Sequence, residues 1–249
     1  MKLLRLEFFK LKRKRLFLTI PLFLSAELLW AFMATSVNIS KHPDSAIWES
    51  IFTTISAMNG LLLPILAAIV VSRICDMEHK GNTWWLLVSN NISKSKVYFY
   101  KFLTANLIML YVSILQAIAI MVFGVLHKFN QPLPLLLLTK LILATSVTNL
   151  VVISLQQFAS MLIKNQSFAL CLGMVGGFIG MTSALFPTVI RRIFIWSYYN
   201  DLAPVTLQFK NDKVNYLYNN NMLVLGTVIL VVALVFYLIG KQAMVKKDI

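Results

Sequence analysis

The sequence predicts an all-α integral membrane protein with six transmembrane helices, and three observations predict it. The chain of 249 residues is 59% hydrophobic and only 13% charged, too little charge to clothe a water-soluble domain of that size. Its mean hydropathy is +0.77, and apolar runs near the roughly 20 residues that a helix needs to cross hydrocarbon recur along it. The net charge of +14 gathers in the segments between those runs. That is the pattern of cations retained at one membrane face, not of a surface for nucleic acid.

Residues 1–15 carry Lys2, Arg5, Lys10, Lys12, Arg13, Lys14 and Arg15 against the single acid Glu7. Leu4, Phe8 and Leu11 fall on one helical stripe, Leu6 and Phe9 fall off it, and Glu7 lies near it. An interfacial helix on the cytoplasmic leaflet, held by anionic lipid, is expected, the other reading being a charge cluster that only sets topology. The apolar stretch that follows exceeds a signal-peptide core and no small-residue cleavage site follows it, so the segment is expected to be retained.

Span one is expected over 16–37. Glu27 sits near its middle, where a carboxylate costs about 2.5–3.5 kcal/mol, so it should face protein or water. It lines a substrate path or contacts another span, and a lone acid, being no relay, favours the contact. Residues 38–50 are a polar outer loop in which His42 reads as an ordinary loop residue, not a metal ligand. Span two covers 51–74, where Thr53, Ala57, Gly60 and Pro64 recur at helical spacing and offer a face for close helix approach. Pro64 is expected to kink it.

Span three covers 97–126, with Asn106, Ser113 and Gln116 on one face. A short outer turn, 127–134, leads to span four over 135–163. There Thr145, Asn149, Gln156 and Ser160 form a polar stripe that should face the bundle or a cavity, as interhelical contact or as a lining for cargo. Lys140 can snorkel outward. Span five, 167–190, holds Gly173, Gly176, Gly177 and Gly180, and Gly176 with Gly180 makes a G-x-x-x-G face for a partner helix. Residues 191–220 are the longest outer segment, and its aromatics, among them Trp196, Tyr198, Tyr199 and Tyr218, are expected at headgroup level, the other reading being contact with an amphipathic substrate leaving the membrane. Span six covers 222–239. With the N-terminus inside, the inner segments hold sixteen Lys+Arg and the outer ones six, which puts both termini in the cytoplasm of the cell that makes the chain. One transmembrane domain, 1–249, is the expected organisation.

The stretch 73–101 organises the rest. It is too polar for hydrocarbon, with Arg73, Lys80, Lys94, Lys96 and Lys101 beside Asp76 and Glu78. Gly81 is expected to break a helix and Asn82 to cap the next. Trp84, Trp85, Leu86, Leu87 and Val88 form an apolar knob, a turn follows at 89–91, and Ser93 can cap span three. It reads as a basic loop with interfacial tryptophans, or as a part that docks into something.

Glu78, Gly81, Thr83, Leu86, Leu87, Ser93, Lys94 and Lys101 stand in an order that resembles the ABC-2 class of ABC-transporter permeases. Asn82 departs by separating Gly81 from Thr83, and Asn90-Asn91 stand where a proline is common. The wording of 77–84, Met-Glu-His-Lys-Gly-Asn-Thr-Trp, resembles more narrowly the lantibiotic-immunity permeases. The resemblance implies a cytoplasmic coupling hairpin between spans two and three, with Glu78, Gly81, Thr83, Trp84, Trp85, Leu86, Leu87, Ser93 and Lys94 meeting the ATPase. It implies a dimer of ATPase subunits that carry the ATP and Mg, a second and different permease chain, and a bacterial plasma membrane. The cargo would be an amphipathic antimicrobial peptide expelled for producer self-immunity. The candidate path residues are Glu27, Asn106, Asn149 and Gln156.

No paired carboxylates, nucleophile with base, or metal-ligand spacing appears, so no catalysis and no cofactor is expected of this chain. Gly240-Lys241 lacks the preceding glycine of a phosphate-binding loop. Cys75 and Cys171 lie at or inside spans, so no disulfide framework is expected. Export of another drug or lipid, and a structural or sensory subunit that does not transport, remain the other readings.

Overall fold

The computed structural model describes residues 2–12, 15–81, 92–129, 131–163, 165–210 and 213–246. Helix α1 spans Lys2–Lys12, α2 Leu16–Lys41, α3 Trp48–Gly81, α4 Lys94–Leu126, α5 Leu135–Leu162 and α6 Gln166–Thr182. Two short helices follow, α7 at Thr188–Arg191 and α8 at Tyr198–Asp201. Strands β1, Val205–Lys210, and β2, Lys213–Tyr218, precede α9 at Met222–Lys246. Six helices, α2 to α6 and α9, are long and apolar enough to cross a membrane.

The helices obey the apolar runs but outlast some of them. The apolar part of α3 stops near Ile74, yet the helix continues to Gly81 because its polar extension is held by side chains from α1 and α4, described below. The Ser93 hydroxyl accepts from the Lys96 backbone N–H at 3.4 Å and caps α4 as expected. Helix α6 ends earlier than 190. Pro187 lacks a backbone donor and holds Phe186 extended, so the helix closes with a tight turn at Ser183–Leu185.

Helices α3 and α6 pack closely. The carbonyl of Gly180 lies 3.1 Å from where a Cβ on Gly60 would stand, and Gly173 and Gly177 face Ala68 and Ile65 of α3. Gly60 and Pro64 of the small face expected on span two therefore meet Gly173 and Gly180 of span five within one chain, whereas Ala57 is exposed and Gly176 packs on Trp196. Helix α5 lies between α4 and α9, and α2 packs on α3 and α4.

The buried apolar side chains form two cores. One, near the basic end, contains Leu24, Leu63, Val112 and Ala144. The other, at the opposite end, contains Ala31, Ile55, Ala117 and Leu141. Between them lies a polar layer. Gln116 Nε2 donates to Glu27 Oε1 at 2.9 Å and to Asn59 Oδ1 at 2.8 Å, and the Thr145 hydroxyl donates to Ser113 Oγ at 3.0 Å.

Residues 195–203 correct the headgroup expectation for this outer segment. Ile195, Ser197, Tyr198, Tyr199, Leu202 and Ala203 are buried. Tyr199 Oη donates to Asn149 Oδ1 at 2.6 Å. Asn149 lies 14 residues into α5, about 21 Å along the helix from its start. The chain thus re-enters the bundle to roughly the middle of a 30 Å hydrocarbon layer. Non-helical backbone at that depth must be enclosed and satisfied. Asn200 Nδ2 donates to Gly180 O at 2.8 Å and to Ser183 Oγ at 2.9 Å, Ser197 Oγ donates to Arg191 O at 2.8 Å, and Asp201 pairs with Arg191.

A second departure from the all-helix expectation is the antiparallel pairing of β1 and β2, with Val205 opposite Tyr218 and Lys210 opposite Lys213. Val205 sits in the second core. The Tyr218 hydroxyl donates to Glu49 Oε1 of α3. That bond, ahead of burial, raises the phenol's pKa above the ordinary tyrosine value.

Candidate functional site

The site lies where α3 leaves its apolar run. Glu78 comes one turn after Ile74 and points at α1 and α4 instead of solvent. Its Oε1 accepts from Lys10 Nζ at 2.7 Å, and its Oε2 lies 3.0 Å from Lys101 Nζ. Lys101, two turns into α4, donates to Glu7 Oε2 at 3.0 Å and to the Ile74 carbonyl at 2.8 Å. Glu7 Oε1 closes the ring at 3.5 Å from Lys10 Nζ.

Two acids and two ammonium groups alternate around this ring, so its net charge is zero. Glu78 and Lys101 are wholly buried and Glu7 nearly so, while the Lys10 side chain keeps 24% exposure. Taking an ion out of water costs several kcal/mol, and the arrangement holds because each charge has two opposite neighbours. It joins three elements, of which α1 stands at the surface and α3 leads directly into residues 82–91. The ring ties α1, α3 and α4 together; among the described residues no three His, Cys, Asp or Glu side chains gather to hold a metal.

The residues expected to couple to a partner divide. Glu78 has no exposure and, paired with Lys10 and Lys101, anchors the base of the segment. Gly81 is the last described residue of α3, Ser93 caps α4, and Lys94 opens it, half-buried. Thr83, Trp84, Trp85, Leu86 and Leu87 lie outside the described residues, as does Asn82.

The four candidate path residues do not gather at one place. Glu27 joins Gln116 in the mid-span layer, and Asn149 receives Tyr199. Gln156, buried, gives its amide to the Ala169 carbonyl of α6. Asn106, half-buried, donates to Phe102 O on its own helix at 2.8 Å. Glu27 contacts Gln116 of α4, and the stripe on α5 binds α4, α6 and the re-entrant segment.

Sequence reasoning missed Glu7, Lys10, Asn59 and Tyr199. For Glu7 a signal existed, an acid beside the apolar stripe of α1. For Tyr199 the signal was weaker: 193–205 carries one charge, Asp201, too few for a solvated loop.

The family model of ABC-2 family transporter proteins matches residues 3–180. The chain belongs to that family. The match covers α1 through most of α6 and includes all four residues of the ring, whereas the re-entrant segment, the β-hairpin and α9 follow it. A search of curated proteins found no match. Membership makes this ABC-2 protein a multi-pass membrane permease, the transport component of an ABC transporter that works with an ABC ATPase.

Proposed function

We propose that this ABC-2 permease is the membrane subunit of an exporter in which residues 82–91 form the hairpin that meets the ATPase, and that the ring passes its movement to the spans. The observation that supports the reading is the ring itself. Glu78, four residues before that stretch, is bonded to α1 and faces α4 at once, so a displacement at 82–91 reaches three elements without loss in a flexible linker. Both termini lie in the cytoplasm of a bacterial cell, on the side of the ATPase. Two permease chains, different from one another, pair with two ATPase subunits that bind ATP and Mg.

The cargo we propose is a lantibiotic-type antimicrobial peptide, expelled from the membrane to protect its producer. The support is the wording of 77–84 together with spans whose charges are few. A cargo already dissolved in lipid needs no deep aqueous tunnel, and in the mid-span layer Gln116 ties Glu27 to Asn59 while Tyr199 ties to Asn149.

The test replaces Trp84 and Trp85 together by alanine and co-purifies the chain with its ATPase. Insertion should persist while complex formation and peptide-stimulated ATP turnover fall. Full complex and full turnover would overturn the coupling reading. Deleting the gene should sensitise cells to the peptide of the same locus. Unchanged sensitivity with the ATPase present would reject immunity in favour of export of another drug or lipid.

A further inference from the structure

Beside the ring, α1, α2 and α4 enclose an apolar cavity of about 350 Å³, lined by Phe8, Phe17, Ile20, Pro21, Leu107 and Tyr111 among others. That size is at the lower end of small-ligand pockets. Leu107 lies six residues beyond Lys101, about 9 Å along α4, so the cavity sits deeper in the bundle than the ring. It opens sideways, because Phe17, Leu107 and Tyr111 are themselves exposed on the surface that hydrocarbon covers.

Cations flank its lining residues in α1 and at the start of α2. Arg5 and Lys12 stand three before and four after Phe8, on the same face of α1, and Arg15 stands two before Phe17. All three are exposed. The remaining described cation of α1 near this face, Lys10, is engaged in the ring, and Glu7, the sole acid of α1, is buried there. No acid of α1 therefore competes with a ligand at the mouth.

An apolar slot open to lipid, with three exposed cations at its headgroup end, matches an acyl chain joined to an anionic headgroup. A cationic peptide would be repelled by these cations, and an uncharged apolar segment would leave them unused. We infer that this cavity binds one acyl chain of an anionic phospholipid of the adjacent leaflet, whose headgroup lies on Arg5, Lys12 and Arg15. Bound there, the lipid bridges α1 to α2 and α4, adding α2 to the elements that the ring joins.

The experiment reconstitutes the full chain in phosphatidylcholine nanodiscs with trace phosphatidylglycerol bearing a photoreactive diazirine on one acyl chain. Labelled peptides are located by mass spectrometry, with the matching phosphatidylcholine probe in parallel. Label from phosphatidylglycerol should concentrate on 17–21 and 107–111 and exceed that from phosphatidylcholine. Arg5→Gln, Lys12→Gln and Arg15→Gln should each lower it about fivefold while leaving the phosphatidylcholine signal unchanged. Equal labelling by the two lipids, or label elsewhere only, would each overturn the proposal. Ile108→Trp should fill the cavity and abolish the excess; if that variant does not fold, the labelling pattern of the unaltered chain decides.

Discussion

Lys101→Met tests the ring most directly. The substitution keeps the length of the side chain and removes one of two positive charges. Lys101 Nζ is wholly buried, 3.0 Å from Glu7 Oε2, 3.0 Å from Glu78 Oε2 and 2.8 Å from Ile74 O. Without it two carboxylates share one ammonium, that of Lys10, and the buried site carries a net negative charge. Removing one partner of a buried ion pair costs about 3–5 kcal/mol, because the other is left uncompensated. The assay is reversible unfolding of the full chain in mixed micelles. Adding Glu7→Gln should restore neutrality and recover stability, with a favourable coupling of about 1–3 kcal/mol between the two changes. Lys101→Met within about 0.5 kcal/mol of the parent, or strict additivity of the pair, would refute the argument. Burial and neutrality would then not be what holds these helices together.

Three further outcomes follow from the geometry. Tyr199→Phe leaves Asn149 Oδ1 without its donor and should cost about 1–3 kcal/mol in the same unfolding assay; a neutral result would mean that the re-entrant segment is not held there. Gly180→Ala puts a methyl against the carbonyl of Gly60 and should cost about 1–3 kcal/mol, whereas Gly226→Ala, with nothing within 4 Å of the new methyl, should be neutral or stabilising by up to about 1 kcal/mol. A reporter active only outside the cytoplasm should be bright when fused at His42 or Lys128 and dark at Asn90 or Asn165; brightness at Asn90 would invert the orientation.

Long apolar runs could be read from the sequence because hydrocarbon imposes one requirement on every residue of a span. The glycine face of span five and the small face of span two were legible for the same reason, as shape, although nothing in either said that they face each other. What escaped was charge neutralised at long range. Glu78 looks solvated beside Asp76 and Lys80, and only its encounter with Lys10 and Lys101 hides it. The polar residues of span four were legible as inward-facing, but their partners were not. Gln156 answers a backbone carbonyl on α6, and Asn149 answers a tyrosine from a segment whose aromatics resemble a headgroup belt. The β-hairpin was masked by the aromatic and basic composition of the same segment, though Val205 through Lys210 alternates as a strand does.

The distance in sequence across the ring also constrains how the protein is made. Glu7 and Lys101 are 94 residues apart, and Lys10 precedes Glu78 by 68. At ordinary elongation rates, roughly 5–20 s separate synthesis of the acid from synthesis of its buried partner. Throughout that interval the Glu7 carboxylate must stay hydrated, so α1 waits among the headgroups while α2 and α3 enter the bilayer. Docking of α1 is therefore a late step of biogenesis, timed by the arrival of α4 and completed only when the fourth charge closes the circuit.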